Sequence, residues 1–164
     1  MSPSNARRVV GLLALALPAL MIGNANPVLA QAKKSDSVVK ATAKAAKPDA
    51  NGNQAVTITL DIAKSWHTYA HPVGNEDLAN AETTVLINAK VKPENVKIEY
   101  PAGKVVVDSM LGNYKVYQDK VTIKATVKRA KGDSSPLEIS IKVQACNEVK
   151  KQCYLPATIK VTVP

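Results

Sequence analysis

Hydrophobic and polar residues alternate one for one along much of the chain after residue 53. Val56, Ile58, Leu60 and Ile62, for example, are separated by single residues that are mostly polar. A period of two predicts β-strands with one buried face and one face in water. The alternating segments are 56–62, 96–100, 121–127, 137–143 and 159–163, and further strands are predicted near Trp66–His71, Thr83–Ala89 and Lys104–Asp108.

Turn signals rich in Pro, Gly and Asn separate these segments, as at Pro72–Asn75 and Leu111–Asn113. No amphipathic helix pattern appears in the sequence after residue 30. Many short alternating strands in residues 54–164 are typical of a two-sheet sandwich. We therefore predict an all-β fold, an immunoglobulin-like antiparallel β-sandwich of seven to eight strands.

The N-terminus has the pattern of a secretory signal peptide. Arg7 and Arg8 precede an apolar segment, residues 9–22, and Val28-Leu29-Ala30 fits a cleavage site for signal peptidase. The apolar segment is shorter than the roughly 20 residues that a spanning helix needs. We predict a signal peptide at residues 1–30 and a periplasmic or secreted mature chain without a membrane span; an uncleaved anchor is the alternative.

Residues 31–53 are rich in Ala, Lys, Ser and Asp and poor in large apolar side chains. Such a composition buries little surface to offset the entropy lost on ordering. We predict a flexible basic linker at residues 31–53 and one folded domain at residues 54–164. A frayed helix in the Ala/Lys-rich part is the alternative.

The charge of the chain is basic but dispersed. Lys and Arg number 22 against 13 acids, and the net charge of +9 falls to +7 when residues 1–30, with two Arg and no acid, are removed. Arg129 is the only Arg beyond the signal peptide. Without a cluster of Arg or a stacking platform, we expect no nucleic-acid partner. We also expect no cofactor and a monomeric protein.

The two cysteines of the chain, Cys146 and Cys153, carry the candidate chemistry. They flank a short loop between two predicted strands, at a separation that a disulfide can span. One hypothesis is a structural bridge formed once during export; the other is an exposed bridge that cycles between disulfide and dithiol. Lys150 and Lys151 would favour a thiolate, and Glu148 partly opposes them.

The parity of the preceding strand bears on which cysteine is exposed. The buried positions from residue 137 onward are odd-numbered, so Cys146 is predicted to point outward unless the strand ends or bulges first. A copper site is a weaker alternative, because His67, His71 and Met110 are residue types that bind copper. We expect no metal site.

Four stretches of the sequence resemble the N-terminal periplasmic domain of the DsbD family of thiol:disulfide interchange proteins. The most specific is Gln144-Ala145-Cys146-Asn147 followed by Gln152-Cys153-Tyr154-Leu155-Pro156. The other three are Trp66-His67-Thr68-Tyr69, Tyr100-Pro101 leading to Val106-Val107-Asp108, and Gly112 followed by Tyr117–Val121. The resemblance extends over residues 54–164.

This resemblance implies an immunoglobulin-like sandwich and a function in electron transfer. Cys146 and Cys153 would be the catalytic redox pair, exchanging electrons with thioredoxin-like donors and acceptors, as a component of a protein-disulfide reductase. Cys146 is predicted to meet the partner. A cap loop containing Asp108, Met110 and Leu111 would shield the bridge, and Trp66 and Tyr69 would line its pocket. No membrane segment or thioredoxin-like domain follows Pro164, so the chain is expected to lack the internal electron source of the family.

Overall fold

The computed structural model describes residues 32–164 of the chain. The signal peptide predicted at residues 1–30 lies outside the described residues. Residues 32–164 form twelve strands and two short 3₁₀ helices, Ser35–Ser37 and Glu76–Ala81. The strands are β1 (Val39–Ala45), β2 (Asn53–Ile62), β3 (Trp66–Tyr69), β4 (Thr84–Ala89), β5 (Asn95–Glu99), β6 (Lys104–Val106), β7 (Tyr114–Gln118), β8 (Lys120–Lys128), β9 (Leu137–Val143), β10 (Ala145–Asn147), β11 (Gln152–Cys153) and β12 (Ala157–Val163).

The strands form three antiparallel sheets. A four-stranded sheet has the order β1-β2-β8-β5, a three-stranded sheet has the order β12-β9-β4, and a five-stranded sheet has the order β11-β10-β3-β7-β6. Among residues 32–164, no helix is long and hydrophobic enough to cross a membrane. The predicted all-β, immunoglobulin-like fold class with antiparallel sheets is confirmed.

The core lies between the four-stranded and the three-stranded sheets. Ile58 pairs with Ile123 across β2 and β8, and Ile87 pairs with Ile139 across β4 and β9. All four side chains are at least 97% buried and belong to one hydrophobic cluster. The alternation that predicted the strands therefore directs the apolar faces of two sheets toward each other.

The described part of the chain has more strands than the seven to eight predicted. The predicted segments near residues 66, 83 and 104 form β3, β4 and β6. Four strands lie outside the predicted segments: β1, β7, β10 and β11. Of these, β10 and β11 contain three and two residues, which is too short for alternation to be visible.

The linker predicted at residues 31–53 is corrected by the structure. β1 pairs along its whole length with β2, from Val39 opposite Ile62 to Ala45 opposite Val56, and Val39 is fully buried. Gln31–Pro164 form one compact unit, so the domain begins well before residue 54. The inward positions of β1 after Val39 are small alanines, whose weak hydrophobicity concealed the alternation, while hydrogen bonds to β2 offset the cost of ordering.

Candidate disulfide-exchange site

A change of sheet between β9 and β10 places Cys146 in the interior. β9 ends at Val143 in the three-stranded sheet, and the chain continues as β10 in the five-stranded sheet, where it pairs with β3. Cys146 is only 5% exposed. The exception attached to the parity prediction therefore applies: β9 ends before Cys146, so the count of buried positions does not continue into a strand of another sheet and Cys146 does not point outward.

A disulfide bond joins Cys146 to Cys153 directly across the β10–β11 hairpin, with the two Cα atoms 4.0 Å apart. Cys153, unlike Cys146, is exposed. The connecting turn is ordered by Asn147, whose side-chain Oδ1 accepts a hydrogen bond of 2.9 Å from the Lys150 backbone N–H. The cysteine that solvent reaches is therefore Cys153, and not Cys146, which the sequence predicted to meet a partner.

Tyr69 contacts the buried sulfur. Its hydroxyl lies 3.5 Å from Sγ of Cys146, within reach of a hydrogen bond to sulfur. The two residues form a small hydrophobic cluster with Val73, separate from the main core, against which Leu78, Ala81 and Tyr114 pack. Burial raises the pKa of Tyr69, with a further contribution from Tyr114, so the hydroxyl keeps its proton at neutral pH and can donate it to sulfur.

Trp66 lies on the other face of β3, because successive side chains of a strand point to opposite sides. It packs in the main core against Tyr154, with ring centroids 4.3 Å apart. Of the two residues predicted to line the pocket of the bridge, the structure thus brings Tyr69 to the sulfur and places Trp66 elsewhere.

The segment predicted as a cap loop forms a turn held by its own first residue. The Asp108 carboxylate accepts backbone hydrogen bonds from Met110 and Leu111, at 2.8 and 2.9 Å. These bonds, from Leu111 first, lower the pKa of Asp108. Met110 is 93% exposed and Leu111 is 50% exposed, while Cys153 remains accessible. In this arrangement Met110 lies in solvent and Leu111 is half exposed, and the shielding of the bridge by this loop stays a prediction.

His67 is a buried neighbour of the bridge that the sequence did not single out for this role. It lies directly opposite Cys146 in the β3–β10 ladder and is 4% exposed. Its Nδ1 lies 3.2 Å from Oε1 of Glu148, in the turn between the cysteines. Burial lowers the pKa of His67, and the Glu148 carboxylate partly opposes that shift. The sequence signal for this placement of His67 is the period of two, which puts His67 on the same face of the strand as Tyr69.

The second histidine, His71, lies against a different carboxylate. Its Nδ1 is 2.6 Å from Oε2 of Glu82, whose other oxygen accepts the Val73 backbone N–H at 2.7 Å. Within residues 32–164, no three side chains of His, Cys, Asp or Glu gather in a way that could hold a metal ion. The two histidines weighed as copper ligands thus each contact a separate glutamate.

Comparisons with known proteins agree with this fold. The family described as thiol:disulfide interchange protein DsbD, N-terminal, matches residues 35–164. The crystal structure of the Neisseria meningitidis DsbD N-terminal domain in the reduced form is 16% identical, with a TM-score of 0.50, over 77% of this chain and 85% of that chain. This likeness shows a shared fold. No curated protein sequence matches the chain.

Two further solved structures are similar at lower TM-scores. The N-terminal periplasmic domain of ScsB from Proteus mirabilis is 17% identical, with a TM-score of 0.49, over 74% of this chain and 44% of that chain. A structure of the complex between the DsbD N-terminal and PilB N-terminal domains from Neisseria meningitidis is 16% identical, with a TM-score of 0.47, over 73% of this chain and 80% of that chain.

Proposed function

Since this chain belongs to the family of N-terminal domains of thiol:disulfide interchange protein DsbD, we propose that Cys146 and Cys153 are its redox pair. The bridge alternates between disulfide and dithiol and so passes electrons between partner proteins. The observation that carries the proposal is the asymmetry of the bridge: Cys153 is exposed, whereas Cys146 is buried with a tyrosine hydroxyl 3.5 Å from its sulfur.

This asymmetry gives each sulfur a distinct part in exchange. A partner thiolate attacks Sγ of Cys153, a new sulfur–sulfur bond forms, and the bond to Cys146 breaks. The electron pair of that bond leaves on Sγ of Cys146 as a thiolate, toward which the Tyr69 hydroxyl can donate a hydrogen bond. A second thiolate of the partner then attacks the partner's own sulfur in the mixed disulfide and releases Cys153. The partner dithiol is oxidised and the bridge is reduced; the reverse sequence passes both electrons on.

The partners we propose are thioredoxin-like redox proteins, as electron donor and as acceptor. The rim of the exposed cysteine suits a protein surface, because Val149 is 80% exposed and Leu155 is 50% exposed, beside Lys150 and Lys151. Exposed apolar side chains with a polar surround are typical of protein docking sites. The export predicted from residues 1–30 would place the protein in the periplasm, where disulfides persist.

One other function is favoured by a specific observation. Cys146 is nearly inaccessible, as expected if the bridge only holds the β10–β11 hairpin closed in a non-catalytic binding or assembly domain. The two functions differ in what reduction does. An exchange module keeps its fold as a dithiol and equilibrates with thiol buffers, whereas a structural bridge resists reduction or loses the fold with it.

The test combines a redox titration with trapping. We expect the bridge to equilibrate with glutathione buffers while the far-ultraviolet circular dichroism stays that of a β protein. A bridge that resists reduction below about −300 mV would contradict the proposal. Cys146→Ser leaves the exposed Cys153 free and should trap a mixed disulfide with a thioredoxin-like protein. Cys153→Ser, the matched control, should trap far less, since the remaining sulfur is buried.

A further inference from the structure

The released thiolate of Cys146 would be an anion in an almost inaccessible position. Removing a charge from water is costly unless an opposite charge or hydrogen bonds compensate it. The Tyr69 hydroxyl supplies one donor. Lys150 and Lys151 are exposed, on the turn that carries the accessible side of the bridge. Among the described residues beside Cys146, His67 is the buried side chain that can become a cation.

The register of the sheet brings His67 to this sulfur. His67 and Cys146 are directly opposite in the antiparallel ladder of β3 and β10, so their side chains leave the sheet on the same face. Directly opposite residues have Cβ atoms about 4.5–5.5 Å apart. Tyr69 lies on that face as well, with its ring perpendicular to the imidazole at a centroid distance of 5.8 Å.

Glu148 completes the arrangement from the turn between the cysteines. Its Oε1 lies 3.2 Å from Nδ1 of His67, and its side chain is 52% exposed. Because this half-exposed carboxylate contacts the buried imidazole, the His67–Glu148 pair joins His67 to solvent; Glu148 also borders a cavity of about 280 Å³. The other residues lining the cavity are Ser65, Trp66, Gln118, Asp119 and Val149.

We propose that His67 takes up a proton from solvent when Cys146 is released as a thiolate, and that the imidazolium, held by Glu148, stabilises the buried sulfur anion. This inference rests on the exchange function proposed above. The sulfur bond breaks as described there, and the single proton added to His67 balances the negative charge gained by Cys146. His67 acts through Cys146 and does not meet the partner, so it is a positioning residue.

The surroundings of His67 fit this role from each adjacent strand and turn. His67 lies between two neighbouring strands. It pairs with Cys146 of β10 on one side and with the neutral Gln118 of β7 on the other. While the bridge is closed, burial keeps the imidazole neutral at pH 7, and Glu148 opposes burial. A thiolate formed at Cys146 would raise the pKa of His67 further, in the same direction as Glu148. Of the titratable and charged groups in the described residues, Cys146 lies opposite His67, Glu148 contacts its Nδ1, Tyr69 packs edge-on against its ring, and Asp119 lines the cavity that Glu148 borders.

The experiment titrates the imidazole of each histidine by NMR in the oxidised and the reduced protein. We expect reduction to tighten proton binding at His67 by about tenfold or more, as an opposite charge at this distance does. His71 is a matched internal control, because it also contacts a glutamate but is not paired with either cysteine in the sheet that contains the bridge. Equal proton affinities of His67 in the two states would overturn the inference.

Variants separate the charge from a merely structural effect. In Cys153→Ser, which keeps a free Cys146, His67→Gln should move the thiolate absorbance of Cys146 to higher pH by about one unit. Glu148→Gln should weaken proton binding at His67 in the reduced protein, and because the Glu148 side chain is half-exposed, this variant should keep the fold. His71→Gln should leave the thiolate titration unchanged. An unchanged thiolate titration in His67→Gln contradicts the role of His67, and an unchanged His67 titration in Glu148→Gln contradicts the role of Glu148.

Failure of this inference is distinguishable from failure of the proposed function. A bridge that cannot be reduced without unfolding overturns both. A bridge that exchanges normally with thiol buffers and with a thioredoxin-like protein, while His67 keeps its proton affinity, overturns only the role of His67.

Discussion

The hydroxyl of Tyr69 lies 3.5 Å from Sγ of Cys146, and both residues are more than 90% buried. A hydrogen bond to the sulfur becomes stronger when the sulfur is a thiolate, because charge-assisted hydrogen bonds are stronger than neutral ones. We therefore expect Tyr69→Phe to slow exchange of the bridge with a small dithiol. Loss of about 1 kcal/mol from the transition state corresponds to a rate reduced about fivefold. Stopped-flow measurement of the reduction rate tests this expectation.

Tyr114→Phe is the matched control for that variant. Tyr114 packs against the same cluster, with its ring centroid 5.9 Å from that of Tyr69, but makes no side-chain hydrogen bond to the bridge among the described residues. We expect its exchange rate to stay within a factor of two of the parent. Equal slowing in both variants would show that packing, not the Tyr69 hydroxyl, sets the rate.

The fold and the site differ in how far the sequence predicts them. Alternation identified β8 and β9 because their inward positions, such as Ile123 and Ile139, are large and regular. The burial of Cys146 could not be derived, since it depends on a change of sheet at Gln144 rather than on parity. The contact of His67 with Glu148 joins residues distant in sequence, and only the strand register brings them together.

The incorporation of β1 into the domain can be tested at Val39. This side chain is fully buried opposite Ile62, so Val39→Ala should lower the free energy of unfolding by about 2 kcal/mol. Lys44→Ala, at an exposed position of the same strand, should change it by less than about 0.5 kcal/mol. Urea denaturation of the oxidised protein measures both. Equal, small effects would restore the interpretation of residues 31–53 as a linker.

The stability of the oxidised protein should depend on pH through His67. Burial lowers its pKa below the ordinary value of 6.5, so the unfolded chain binds this proton more readily than the folded one. The contribution of neutral His67 to the free energy of unfolding is therefore complete above pH 6.5, and it is lost as the pH falls through the pKa of His67 in the folded protein. We expect urea midpoints to fall between about pH 7 and about pH 5.

His67→Gln should remove most of that dependence, and His71→Gln should retain it. Carboxylates with lowered pKa values, such as Asp108, contribute to the pH dependence of stability only at more acidic pH. The comparison of the two histidine variants thus isolates the buried imidazole. A pH dependence that survives unchanged in His67→Gln would contradict the assignment.

Gly103 permits a close approach between the segment before β6 and the strands that carry the site. A Cβ at this position would lie 2.5 Å from Cβ of Ala70 and 2.9 Å from Cβ of Lys115. Because these are short, stiff parts of their residues, the backbone must shift, and Gly103→Ala should destabilise the protein by about 1–3 kcal/mol. Adding Ala70→Gly removes the closer clash, so the double variant should lose less stability than the sum of the single variants. Urea denaturation of the three variants measures this coupling, and strictly additive losses would show that Gly103 is not limited by Ala70.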